Sequence, residues 1–128
     1  MIAIGLTLTG LAALIHVGIF FMESLAWESP RVRRIFGTSE ESARATKLLA
    51  FNQGFYNLFL AVAVVVGIVL SIIGHQAVGA TLVFVGAGSM VAAALVLLCS
   101  SKGAGIAALV QGLLPAFGII ALAIGVGQ

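Results

Sequence analysis

Charge is scarce in this chain. Of its 128 residues only 8% are Asp, Glu, Lys or Arg, while 62% are hydrophobic and the mean hydropathy is +1.26. A water-soluble domain carries about 25% charged residues, so too few polar side chains are present to cover a water-facing surface, and a soluble enzyme is nearly excluded. Cysteine is almost missing as well. The single Cys99 ends an apolar run, which leaves no intramolecular disulfide and no CxxC site. No HExxH occurs, and His16 and Glu23 lie roughly 10.5 Å apart along a helix axis, too far to share one ion without ligands from elsewhere. Neither metal nor cofactor is expected. A basic stripe interleaved with stacking aromatics is also lacking, which sets nucleic acid aside as a partner.

What the chain has instead is long apolar runs: Ile2 to Met22, Leu48 to Ile73, Ala77 to Cys99 and Ala104 to Val126. A helix of about 20 apolar residues crosses about 30 Å of hydrocarbon. The expected fold is therefore all-α, a single domain over 1–128 forming a four-transmembrane-helix bundle with spans about 2–26, 40–73, 77–99 and 104–126. The first run has no basic segment before it and no small-residue cleavage site, so it reads as a retained span and not as a signal peptide.

The charges are gathered in one place. Nine of the ten lie between Glu23 and Lys47, and the tenth is Lys102. All six Lys and Arg residues (Arg31, Arg33, Arg34, Arg44, Lys47 and Lys102) fall in the loops after the first and third spans, on one side of the membrane. Positive loops stay cytoplasmic, which predicts both termini on the non-cytoplasmic side. Within the first loop, Ser29-Pro30 ends the first helix, Phe36-Gly37 marks a turn, and Thr38 with Glu41 fits a capping box that opens the second helix. That helix is longer than the bilayer needs, so it overhangs or bends at Gly54. Arg31, Arg33 and Arg34 set topology and can bind anionic headgroups.

Small residues suggest how the spans meet. Ala104, Ala108, Gly112 and Ala116 recur every four residues, and Gly79, Gly86 and Ala93 every seven; either ridge would let backbones approach closely. Pro115 is expected to kink the last helix and free a carbonyl near Gln111.

The remaining polar residues are the candidates for function. His16, Phe20, Glu23 and Trp27 are spaced by four, three and four, on one helix face. In the run NQGFYN, Asn52 stands one turn from Tyr56 and Gln53 one turn from Asn57. Counting 1.5 Å per residue places His16, Asn57 and Gln111 at a common depth of roughly 11–14 Å, with Ser89 at nearly the same depth and Glu23 and Asn52 in a shallower layer. Ionisable groups at such depth face a bundle interior or a wet cavity. Three uses compete: a hydrogen-bonded network holding the helices, a ligand pocket, and a proton or ion path. Taken singly, Trp27 and Tyr56 also suit headgroup anchors, Gln111 suits the backbone freed by Pro115, and His75 suits a solvated turn.

The segments ALIHVGIFFMESLAW, from Ala13 to Trp27, and NQGFYNLFLA, from Asn52 to Ala61, resemble the small bacterial membrane-protein family DUF1304, over essentially the whole chain. Its motif positions correspond to His16, Glu23, Trp27, Asn52, Gln53, Gly54, Tyr56 and Asn57. The resemblance implies a four-helix integral membrane protein and transfers no reaction.

The leading expectation is an intramembrane polar pocket that binds a small amphipathic or isoprenoid-like molecule or membrane lipid. If chemistry follows, it is cofactor-free acid/base isomerisation or cyclisation, with His16 and Glu23 catalytic and Trp27, Asn52, Gln53, Tyr56, Asn57, Ser89 and Gln111 binding the ligand. A small proton-coupled transporter and a non-catalytic structural or partner subunit are the alternatives. The one-sided Lys/Arg bias argues against a dual-topology dimer and leaves a parallel homo-oligomer open.

Overall fold

A computed structural model describes residues 1–128. Five α-helices follow one another, with no strand: α1 (Ile2–Phe20), α2 (Pro30–Phe36), α3 (Glu40–Ile72), α4 (Gln76–Ser100) and α5 (Gly105–Val126). A π turn, Phe21–Leu25, continues α1. Four of these segments are long and apolar enough to cross a membrane, namely α1 with its π turn, α3, α4 and α5. The chain is a multi-pass helical membrane protein.

The four spans form a ring. α1 packs on α3 and α5, and α4 packs on the same two helices, so α1 and α4 face each other across the bundle with little direct contact. The core between them is mostly alanine: Ala12, Ala13, Ala61 and Ala87 make one buried cluster with Val64 and Met90. Such a core lets helices approach closely enough for dispersion to hold them, since burial from water supplies no drive inside lipid. Gly67 shows the closeness required. A Cβ there would stand 2.7 Å from the carbonyl oxygen of Gly79, so α3 and α4 can meet only as glycine on glycine.

The expected ridges survive in part. Gly79 and Gly86 are buried, but Ala93 is exposed and Ala94 takes its place. A strict repeat of seven drifts about 20° per step around a helix of 3.6 residues per turn, which carries the third member off the contact. On α5 the buried line runs Ala108, Gly112, Pro115 and Gly118, leaving the four-residue repeat after Gly112 for the same reason.

The connection between α1 and α3 also departs from expectation. Ser29 caps a further short helix, α2, its hydroxyl accepting from Val32 N at 3.3 Å with Pro30 in the first turn. Gly37 closes α2 at φ +64°. The cap of α3 is Ser39, accepting from Ser42 N at 3.1 Å, and not Thr38. Because α3 has 33 residues, it is about 50 Å long, and its first two turns extend beyond the apolar run that begins at Leu48. On this overhang Ala43 is buried, as is Val32 on α2, and the Trp27 and Phe36 rings meet edge to face at 5.1 Å.

Candidate functional site

The π turn decides where the polar end of α1 points. An α-helical register would keep His16, Phe20, Glu23 and Trp27 on one stripe; instead Ala26 N donates to Phe21 O, five residues back, and regular helix ends at Leu25. A π turn holds extra residue per turn, so the side chains beyond Phe20 lag behind the α-helical spiral and Trp27 leaves the helix altogether. Glu23 and Ser24 then address α3. The Asn57 amide donates to Glu23 Oε2 at 3.0 Å, and the Ser24 hydroxyl donates to the Phe51 carbonyl at 2.8 Å.

Gly54 makes this contact possible. A Cβ on it would overlap Ser24 Oγ and stand 3.0 Å from Ser24 N and 3.1 Å from Phe20 O. The glycine inside NQGFYN is therefore the seat of the π turn on α3, one helical turn from both Phe51 and Asn57 in sequence.

Beside this seat lies a groove of about 580 Å³. One wall is the stretch Glu23–Ser29; the other is α3 from Arg44 to Phe51, with Leu48 and Lys47 between them. Charge and apolar surface meet there. Lys47 pairs with Glu28 across the groove, and Arg44 pairs with Glu40 at 2.6 Å on the adjoining turn. The Trp27 indole N–H donates to Thr46 Oγ1 at 3.1 Å, so the chain's single tryptophan is fixed in the groove wall. Arg33 ties α2 to the same platform, its Nε donating to Glu28 O at 3.2 Å and its guanidinium lying 3.8 Å from Glu40.

The sequence-predicted residues do not join in one hydrogen-bonded network. His16 is buried at 1% exposure, and its Nδ1 donates to Ala12 O at 2.9 Å, within its own helix. No hydrogen bond joins it to Asn57 or Gln111, and it does not line the groove. Glu23 and Asn57 are paired, and Glu23 and Trp27 line the groove. Gln111 is half-buried on α5, whereas Asn52, Gln53, Tyr56 and Ser89 are exposed. The expectation that each polar side chain must turn inward fails for a simple reason. Asn52 satisfies its amide on Leu48 O, one turn back on its own helix, as Thr7 and Thr81 do with Ala3 O and Ala77 O. Ser89 sits beside the buried line of Ala87 and Met90, but a step of 100° per residue turns it outward.

Ser24, Arg44, Lys47, Leu48 and Phe51 were missed by depth counting. A signal was available in Gly54, a glycine among bulky neighbours on a span, which marks a close approach and hence a small partner such as Ser24.

A family model described as "Protein of unknown function (DUF1304)" matches residues 10–123. No curated protein and no solved structure matches the chain.

Proposed function

Because the chain belongs to the DUF1304 family, whose description assigns no activity, we propose a function from its own residues: it binds a small amphipathic molecule in the groove between the π turn and α3. The observation that carries this reading is the composition of the groove. Glu23, Glu28, Arg44 and Lys47 offer polar contacts at the level where Leu25, Leu48 and Phe51 offer apolar ones. That mixture suits a molecule with one wet end and one oily end. The two carboxylates balance the two cations, so the groove favours a neutral or zwitterionic head over a strongly anionic one.

The groove stands at the end of the bundle that holds all ten charged residues. The positive-inside rule supports a cytoplasmic position for that end, with both termini outside, and the resemblance to small bacterial membrane proteins suits an inner-membrane location. An amphiphile would enter from the cytoplasmic leaflet. Glu23 is the group best placed to exchange a proton with such a ligand, because Asn57 holds one carboxylate oxygen and leaves the other for the ligand. His16 supports packing in this reading and not catalysis, being bonded within α1 and away from the groove.

The test is photolabelling of the purified protein in micelles with a diazirine derivative of dodecanol. Labelled peptides should concentrate in Glu23–Ser29 and Arg44–Phe51, and Ala45→Phe, which narrows the groove, should abolish that concentration. Labelling spread evenly over the exposed faces of all four spans, or unchanged in the variant, would refute the proposal.

A further inference from the structure

Phe51 belongs to two features at once. It lines the groove, and it begins a row of phenylalanines that continues along α3 toward the centre of the membrane. Phe51 and Phe55 lie 5.0 Å apart between ring centroids, Phe55 and Phe59 lie 6.2 Å apart, and Phe20 of α1 meets Phe55 edge to face at 5.1 Å. Phe21 joins from the π turn at 5.3 Å from Phe20. The row is not buried: Phe51 is 42% and Phe59 is 59% exposed. Five of the chain's eight phenylalanines are thus collected on one track that leaves the groove and runs down the outside of the bundle.

We infer that this track is the tail site of the groove's ligand, and that it selects an unsaturated, methyl-branched chain of the prenyl type over a saturated one. The inference rests on the groove reading given above and adds the class of tail. Tilted and edge-to-face rings present both π faces and ring edges, which meet the C–H groups and double bonds of a prenyl chain with specific geometry. A saturated chain gains little there that bulk lipid does not already offer, since lipid tails are as apolar as any side chain. Length agrees. The eight steps from Phe51 to Phe59 rise about 12 Å, enough for a short chain and less than the roughly 15 Å of one hydrocarbon leaflet. The balanced charge in the groove points to an uncharged hydroxyl head, which Glu23 can accept from.

The experiment is direct competition. Farnesol and dodecanol carry the same head and chains of matched length, and native mass spectrometry of the protein released from micelles counts each adduct when both are present at equal concentration. Farnesol should exceed dodecanol by about five-fold in the wild type, the size of one favourable aromatic contact. In the variant Phe51→Leu/Phe55→Leu/Phe59→Leu the ratio should fall to about one while binding persists. Equal occupancy of both alcohols in the wild type, each lost in Ala45→Phe, overturns the tail inference and leaves the groove reading standing. Binding of neither alcohol overturns both. Because the ratio is read within the wild type, the inference stays testable even if the leucine variant misfolds.

Discussion

Alanine at Gly54 would put a methyl group where the π turn already touches α3. Its Cβ would overlap Ser24 Oγ and stand 3.0 Å and 3.1 Å from two backbone atoms, Ser24 N and Phe20 O. A new rotamer at Ser24 relieves only the first of these, so the two segments must separate. Overpacking of this kind costs about 1–3 kcal/mol. Separation also weakens the Ser24–Phe51 and Glu23–Asn57 hydrogen bonds, each contributing about 0.6 kcal/mol within a membrane protein. The intrinsic preference of a helix for alanine over glycine returns up to about 1 kcal/mol. The net expectation is a loss of about 1–3 kcal/mol. Gly18 and Gly88 supply the reference, because a Cβ at either meets nothing within 4 Å, and Gly18→Ala or Gly88→Ala should be neutral or mildly stabilising. Equilibrium unfolding in mixed micelles, followed by helical circular dichroism, measures all three. Ser24→Ala in the Gly54→Ala background should recover part of the loss, because it removes the nearest clashing atom but not the backbone ones. If Gly54→Ala unfolds at the same denaturant concentration as Gly18→Ala, the close approach that builds the groove wall is wrong.

Three further outcomes are expected. Glu23→Gln keeps an acceptor for the Asn57 amide and should change stability by less than about 0.5 kcal/mol, whereas Glu23→Leu leaves that amide only its bond to Gln53 O, 3.1 Å away on its own helix, and should cost about 0.5–1.5 kcal/mol in the same unfolding assay. His16→Ala removes a fully packed ring and should cost about 2–5 kcal/mol, yet the folded fraction should take up diazirine dodecanol in the groove as the wild type does; loss of labelling at wild-type stability would return His16 to the binding site. Reporter fusions should place the C-terminus outside the cytoplasm, and reversing Arg31, Arg33 and Arg34 to Glu should weaken that orientation; a cytoplasmic C-terminus in the wild type would contradict the proposed sidedness.

The helical class and the four apolar spans were legible because hydropathy and length are sums along the chain, and each run exceeds what the bilayer requires. Local turn chemistry was legible to within a residue or so: Phe36-Gly37 does end a helix, but the cap of α3 fell on Ser39 in place of Thr38. Two hydroxyls stood side by side, and only the backbone direction leaving Gly37 selects between them. The candidate site was legible in its members at one end, where Glu23, Trp27 and Asn57 do meet across α1 and α3 or line one groove. It was not legible as a layer. Counting depth treats every polar residue at one level as a neighbour, while Ser89 faces outward and His16 bonds within its own helix.

Composition and patterning alone therefore settled that this is a helical membrane protein with its charge concentrated at one end, since those properties depend on residue type and order and not on who touches whom. Which polar groups pair was decided by tertiary structure. Asn52 and Asn57 stand five residues apart in one motif, and each bonds the backbone of its own helix, yet the first is exposed and bonds nothing else while the second also holds Glu23. Five residues turn an α-helix by about 140° beyond a full circle, so only one of the two can face α1, and the seating of the π turn on Gly54 determines which.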